Sequence, residues 1–204
     1  MSVIRRIGFL ASGAGSTFEA VVAACRVGDL DLDPAIVISN NAKAGVFARA
    51  AHLGIPAQHI SAKTAGDAAA ADLAIAAALT DARVDLVVLV GYLKKLGPAV
   101  LAAFTGRIIN THPALLPKFG GPGMYGHHVH AAVIAAGETT TGVTIHVVDE
   151  EYDRGPILAQ AAVPVEPGDT IETLAARVQA REKPFLIETL RRLAIGDLEL
   201  PKNA

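Results

Sequence analysis

Four short, continuously apolar runs, at 7–11, 35–39, 85–90 and 107–110, alternate along this chain with helical patterns at about 16–27, 44–53, 66–82 and 98–104. A strand that is apolar at every residue has no solvent face. It must be covered on both sides, and helices inserted between such strands supply the cover. The pattern predicts an α/β fold, a three-layer sandwich with a Rossmann-like parallel sheet in the middle. A further short strand is expected at 57–60. After residue 138 the pattern changes. Val143, Ile145 and Val147 alternate with Thr144, His146 and Val148, and a second run at 156–164 follows the Gly155-Pro156 turn. Period-two alternation followed by a tight turn predicts an antiparallel addition to the sheet. Gly168-Asp169-Thr170-Ile171-Glu172 then opens a long amphipathic C-terminal helix to about residue 194, with Thr170 as its N-cap.

At 204 residues, 51% of them hydrophobic, the chain is long enough for one sizeable core, and it shows no internal repeat or low-complexity linker. A single domain is expected. Eighteen Lys and Arg stand against 20 Asp and Glu with no dense basic stripe, which excludes a nucleic-acid surface and points to small-molecule substrates. The Ala-rich stretch at 68–79 contains Asp72 and falls short of the ~20 apolar residues that span a bilayer. Residues 1–6 run into the first strand without the apolar core and cleavage site of a signal peptide. A cytoplasmic location without a membrane partner is therefore expected. Cys25, the single cysteine, has no disulfide partner in the chain and reads as a small core residue.

The chemistry is concentrated in Asn110-Thr111-His112-Pro113-Ala114-Leu115-Leu116-Pro117. Residues i and i+2 of an extended chain share a face, so Asn110 and His112 can address one bound group, while Pro113 and Pro117 stiffen the exit from the strand. An asparagine amide can donate to a developing oxyanion, and histidine moves protons near neutral pH. The segment 139–155, TTTGVTIHVVDEEYDRG, adds His146 in a strand and Asp153 in a turn. Amide, imidazole and carboxylate are the parts of an acyl-transfer site without a protein nucleophile. Taken singly, His112 is also compatible with a strand-end histidine bonded to backbone, and Asp153 with ordinary Asp-x-Gly turn chemistry.

Ser12-Gly13-Ala14-Gly15-Ser16-Thr17 follows the first strand and opens the first helix. Free N–H groups and the positive helix end suit an anion there, a phosphate above all, although a plain tight turn uses the same residues. Phe18 stands where a dinucleotide fingerprint has its third glycine, and the second strand ends in Ser39-Asn40-Asn41 rather than an acid, which disfavours NAD. His127-His128-x-His130 has no cysteine partner, and on a helix His128 points away from the other two, so no metal is expected. The glycine-rich stretch 120–126 reads equally as a loop that moves over a substrate and as a linker.

Five segments, IGFLASGAGSTFEAV, DLVVLVGYLKKL, RIINTHPALLPKFGG, GVTIHVVDEEYDRGPILAQ and ARVQAREKPF, resemble in content and order the folate-dependent formyltransferases, in particular the glycinamide ribonucleotide formyltransferase family. The resemblance runs nearly end to end. It implies a formyltransferase-like sandwich over 1–204, with a nucleotide-binding half at about 1–106 and a folate-binding and catalytic half at about 107–204. The activity it implies is transfer of the formyl group of 10-formyltetrahydrofolate, a co-substrate, to the amine of 5′-phosphoribosylglycinamide in de novo purine (IMP) biosynthesis. It implies Asn110, His112 and Asp153 as the catalytic set, with Asp153 keeping His112 cationic, because a nearby carboxylate raises an imidazole pKa. Gly15, Ser16 and Thr17 fall on the 5′-phosphate positions, with Thr17 in place of the usual asparagine, and Glu182 falls on the ribose contact. Leu93, Lys94, Lys95 and Leu96, with Asn110, Asp149, Glu150, Glu151 and Tyr152, fall around the folate. Ala68, Ala69, Ala70 and Ala71 occupy the region where many relatives carry a substrate-facing arginine. A monomer or homodimer without metal is implied. Relatives that hydrolyse the same folate carry an extra N-terminal domain and those that formylate initiator tRNA an added C-terminal one. The early first strand and the short tail after residue 194 favour the glycinamide acceptor.

Overall fold

The computed structural model describes residues 4–201, so residues 1–3, read above as the approach to the first strand, lie outside the described residues. Seven strands form one sheet: β1 (Arg6–Leu10), β2 (Asp33–Ser39), β3 (Ala57–His59), β4 (Leu86–Leu89), β5 (Ile108–His112), β6 (Thr140–Val147) and β7 (Ile157–Pro164). Their order is β3-β2-β1-β4-β5-β6-β7. The first five pair in parallel, whereas β6 is antiparallel to both β5 and β7. The helices are α1 (Ser16–Arg26), α2 (Val46–His52), α3 (Ala62–Ala65), α4 (Ala68–Asp81), α5 (Pro98–Ala103), α6 (His127–Ala135) and α7 (Ile171–Ala194). The parallel sheet with its antiparallel addition and long last helix follows the sequence expectation, and Thr170 caps α7 in a reciprocal capping box with Thr173.

Three details differ from that expectation. The helix expected over 66–82 is α4, and a short helix that was not expected, α3, precedes it. Ser61 and Thr64 form a capping box for α3, Gly66 turns the chain at φ 111, and Asp67 caps α4 by accepting the Ala70 N–H. Strand β5 runs past its apolar residues to His112. In β6, residues 141–147 are all buried, the polar Thr144 and His146 included. Their face is roofed by the chain that follows β5. The Thr144 hydroxyl donates to the Ala114 carbonyl (2.6 Å) and accepts the Leu116 N–H (3.0 Å).

Alternate residues of the central strands feed two cores. Ile7, Phe9, Val88 and Ile109 pack with Phe18, Val178 and Leu186 of α1 and α7. Leu10, Ile38, Val87 and Ile108 pack on the other face with Ile75, Leu79 and Val100 of α4 and α5. Strand parity carries this division into the polar end of β5, with Thr111 on the α7 face and Asn110 and His112 on the α4–α5 face.

The segment after β4 is fixed by a carboxylate. Asp72, buried in the middle of α4, accepts the N–H groups of Gly97 (3.1 Å), Ala99 (2.7 Å) and Val100 (3.3 Å) at the start of α5. A charge aimed at three backbone donors of a helix N-terminus is well compensated. Residue 97 has to be glycine, because a Cβ there would overlap the Asp72 carboxylate. Asp72→Ala is expected to lower unfolding stability by about 2–3 kcal/mol, since it strands buried donors, measured as a drop in the urea midpoint. An unchanged midpoint would show that water replaces the carboxylate without loss.

Candidate active site

Strand order reverses at β1, which has β2 on one side and β4 on the other. In such sheets ligands bind in the crevice beyond the carboxyl ends of the strands flanking the reversal. Here the loops after β1 and β4 are tied together, the Ser12 N–H to the Gly91 carbonyl (3.0 Å) and the Leu93 N–H to the Ser12 hydroxyl (2.9 Å). The last residue of β4, Leu89, pairs with Asn110, and β5 continues two residues further, to His112. On the other flank β6 places His146 opposite Asn110 and Thr144 opposite His112. The overhang is thus a two-strand ledge with Asn110, His112 and His146 on one face.

Asp153 reaches this ledge from the loop after β6. It has φ 56, a left-handed conformation that aspartate enters more readily than most residues. Its Oδ2 lies 3.5 Å from His112 Nδ1, its Oδ1 lies 3.5 Å from His146 Nε2, and it accepts the Gly121 N–H at 2.9 Å. His112 Nε2 donates to the Phe119 carbonyl at 2.8 Å. Asn110 Nδ2 is 3.1 Å from His146 Nε2, and His146 Nδ1 is 3.0 Å from the Val147 carbonyl. The glycine-rich stretch is therefore part of the site wall, bonded to the site through Phe119 and Gly121.

Burial pushes the Asp153 carboxyl up, but the His146 contact, the His112 ring and the Gly121 N–H outweigh it and hold the group below its ordinary value. It is a carboxylate at neutral pH. His112 behaves otherwise than the sequence reading expected. Its burial, with 3% of the residue exposed, is the largest influence and lowers the imidazole pKa. Asp153 and the Phe119 carbonyl oppose this without overcoming it, and His146 lowers the pKa further. A carboxylate 3.5 Å away does not offset that loss of water, so the ring is mostly neutral at pH 7. Because Nε2 faces a carbonyl, the proton sits on Nε2, and Nδ1 is a bare base beside Asp153.

These groups open into a cavity of about 490 Å³, a size that suits a small organic ligand. The sequence profile of the formyl transferase family matches residues 5–190. The chain belongs to the formyl transferase family. It is 37% identical, over 98% of its length and 92% of the relative's, to the phosphoribosylglycinamide formyltransferase of Haemophilus influenzae. It is 39% identical to the chloroplastic phosphoribosylglycinamide formyltransferase of Vigna unguiculata, with 93% of this chain matched, and spans 61% of that protein. The crystal structure of glycinamide ribonucleotide transformylase 1 from Symbiobacterium toebii superposes with a TM-score of 0.90 at 38% identity, covering 98% of this chain and 92% of that one.

Most of the residues expected from the formyltransferase resemblance meet around this cavity. Asn110, His112 and Asp153 line it together. Leu93, Lys94, Lys95 and Leu96 form one lip, and Asp149, Glu150, Glu151 and Tyr152 the other. The lips meet where the Lys95 ammonium sits 5.6 Å from the centre of the Tyr152 ring. Glu182 enters the wall from α7, and burial raises its carboxyl to about 6, slightly offset by Lys183. Gly15, Ser16 and Thr17 are outside the cavity wall. They stand at the start of α1, where Gly15 is the N-cap at φ 78 and no side chain caps the first turn. Among the described residues, the Lys and Arg side chains in the wall are Lys94 and Lys95, and none comes from the first turn of α4.

The sequence reading missed Tyr92, Thr111, His130, His146 and Gln179 as cavity residues. His146 was visible only as a member of a strand, and the strand register is what brings it to Asn110. In the HHxH segment, His127 and His128 are exposed while His130 is buried against the cavity, its pKa lowered by burial and then by His127 and His112. The hydrophobic spacing of Val129 and Val133, both buried, was the available sign of which face of α6 turns inward. Cys25 is half-buried and its thiol is pushed up to about 11, chiefly by burial, so it is not an activated nucleophile.

Proposed function

We propose that this chain is a one-carbon transferase that moves the formyl group of 10-formyltetrahydrofolate to the amine of 5′-phosphoribosylglycinamide in purine biosynthesis, working as one domain. The observation that carries the reading is the ledge at the end of β5. There an amide donor, a neutral imidazole and a carboxylate face one cavity. The 93–96 and 149–152 lips would take the folate, and Glu182 the ribose. The uncapped first turn of α1 would take the 5′-phosphate, as free helix N-termini take anions.

An α-amine has a reference pKa of about 8, so the nucleophile needs no strong base before it attacks. Asn110 keeps one amide N–H beyond the one directed at His146, and this donor would stabilise the oxyanion formed when the amine adds to the formyl carbon. As the C–N bond forms, neutral His112 would accept the amine's surplus proton and deliver it to the departing folate nitrogen, with Asp153 steadying the transient imidazolium. For this His112 must release the Phe119 carbonyl and carry its one proton on Nδ1, where Asp153 accepts it, so that Nε2 becomes the base that faces the amine. Both ring nitrogens face protein groups here, and the glycines after Phe119 let that segment give way.

Formyl-folate consumption is expected to depend on added glycinamide ribonucleotide. Comparable consumption with water as the only acceptor would instead support a hydrolase using the same residues. Inorganic phosphate is expected to compete with the ribonucleotide and leave the folate KM unchanged, and competition against folate alone would move the phosphate site away from α1. No helix of the described residues is long and apolar enough to cross a membrane. A cytoplasmic setting and a monomer or homodimer belong to the proposal.

A further inference from the structure

His146 is not among the groups that act on substrate in the reading above, yet it is 2% exposed and both of its nitrogens are engaged. The Val147 carbonyl oxygen, 3.0 Å from Nδ1, is an acceptor only, so Nδ1 carries a proton. In the neutral ring Nε2 is then bare and accepts one of the two N–H bonds of Asn110 Nδ2 at 3.1 Å.

An asparagine amide has nearly the same shape when its oxygen and nitrogen are exchanged, so shape alone does not choose between the two orientations. Here the imidazole chooses. With the amide turned over, Asn110 Oδ1 and His146 Nε2 would be two acceptors facing each other in a buried place, which is costly. The remaining N–H of Asn110 is thereby directed at the cavity. The opposite orientation would present a carbonyl oxygen to the developing oxyanion and repel it.

We propose that His146 is a positioning residue that, through the tautomer set by the Val147 carbonyl, locks the Asn110 amide with its donor toward the reacting group. Asp153 Oδ1 is the competing acceptor for the same Nε2; a donation to it would lower the Asp153 pKa, but that contact is 3.5 Å against 3.1 Å to Asn110, and the lock forgoes it. The lock requires that Nε2 stay unprotonated and bonded to Asn110 rather than become an N–H donor to Asp153.

Two measurements on the full chain test this. The first is the side-chain nitrogen NMR spectrum of His146 at neutral pH. It is expected to show a neutral ring protonated on Nδ1, with the Nε2 resonance moving in Asn110→Ala. A proton on Nε2, or on both nitrogens, overturns the lock. The second is kinetic, and it rests on the formyl-transfer reading. Loss of an oxyanion donor costs about 10²–10³ in kcat. A misoriented donor forfeits part of that, so His146→Leu is expected to lose about tenfold or more in kcat with both KM values within about threefold. His146→Gln supplies an acceptor to Asn110 and a donor to Asp153, and is expected to recover most of the loss. A kcat unchanged in His146→Leu, a loss confined to KM, or no recovery with glutamine overturns the proposal. If the wild-type chain shows no turnover with glycinamide ribonucleotide, the functional reading fails and the NMR arm still decides the lock. It also decides if His146→Leu does not fold.

Discussion

Asp153→Asn is expected to reduce kcat by about 10²–10⁴-fold, the usual contribution of positioned acid–base groups, while the KM values change little. The carboxylate lies between two imidazoles and accepts the Gly121 N–H, and its charge is one of the two influences that raise the His112 pKa against burial. Removing the charge should therefore move the His112 titration to still lower pH. It should also leave the imidazolium formed during proton transfer without its counter-charge. His112→Ala is expected to be similarly damaging. Because both residues would serve one transition state, the double variant should cost far less, in kcal/mol, than the two single losses added. Full additivity, or an unmoved His112 titration, would reassign Asp153 to holding the glycine-rich segment through Gly121. The same groups set an acid limit on stability. Asp153 and His112 are both depressed in the folded state, so each contributes stability above its unfolded pKa that is lost as pH falls. The His112 part begins to fade below about 6.5 and the Asp153 part below about 3.8.

Glu182→Gln is expected to separate binding from stability. Loss of a charged hydrogen bond to the acceptor's ribose would raise the ribonucleotide KM about 10–100-fold, on the 1.5–3 kcal/mol typical of such bonds, without touching the folate KM. Stability should move the other way. Burial raises the Glu182 carboxyl from 4.5 to about 6. The folded state thus prefers the protonated form, and the cost of ionising it appears as pH rises through that window and is fully present above it. Glutamine removes a penalty of about 2 kcal/mol at pH 7.5, equivalent to a Tm gain of about 4–8 °C in a chain of this size. The gain should shrink toward pH 4.5. An equal gain at both ends of the window would mean that the glutamine packs better for reasons unrelated to charge.

The fold was legible in the sequence wherever a rule is local. Continuous apolar runs gave the buried strands, the alternation at 143–148 gave the antiparallel addition, and Thr170 marked the start of α7. Asn110 and His112 were legible as a pair, because two residues along a strand return to the same face. What stayed hidden depends on contacts between distant segments. The β5–β6 register brings His146 to Asn110, and the packing of α6 and α7 brings His130 and Gln179 to the cavity. The charge of His112 was misjudged for the same reason. A neighbouring carboxylate can be inferred from a motif, whereas the loss of water around the ring depends on the roof that the 113–121 segment builds. The short helix α3 was local and still missed, since its signal is a capping pair spread over Ser61 and Thr64.

The two-residue overhang of β5 has a bearing on how such an enzyme can be redesigned. Its ledge lines the same cavity as the lips at 93–96 and 149–152 and the α6–α7 residues His130, Gln179 and Glu182. Leu96 of the first lip packs into the core on the α4–α5 face, whereas α6 and α7 pack into the other core through Val133, Val178 and Leu186. On the proposed assignment, a library over Gln179 and Glu182 would sample the acceptor, and a library over Lys95 and Tyr152 the folate. With Asn110, His112, His146 and Asp153 held constant, the donor and the acceptor would then be re-specialised one at a time.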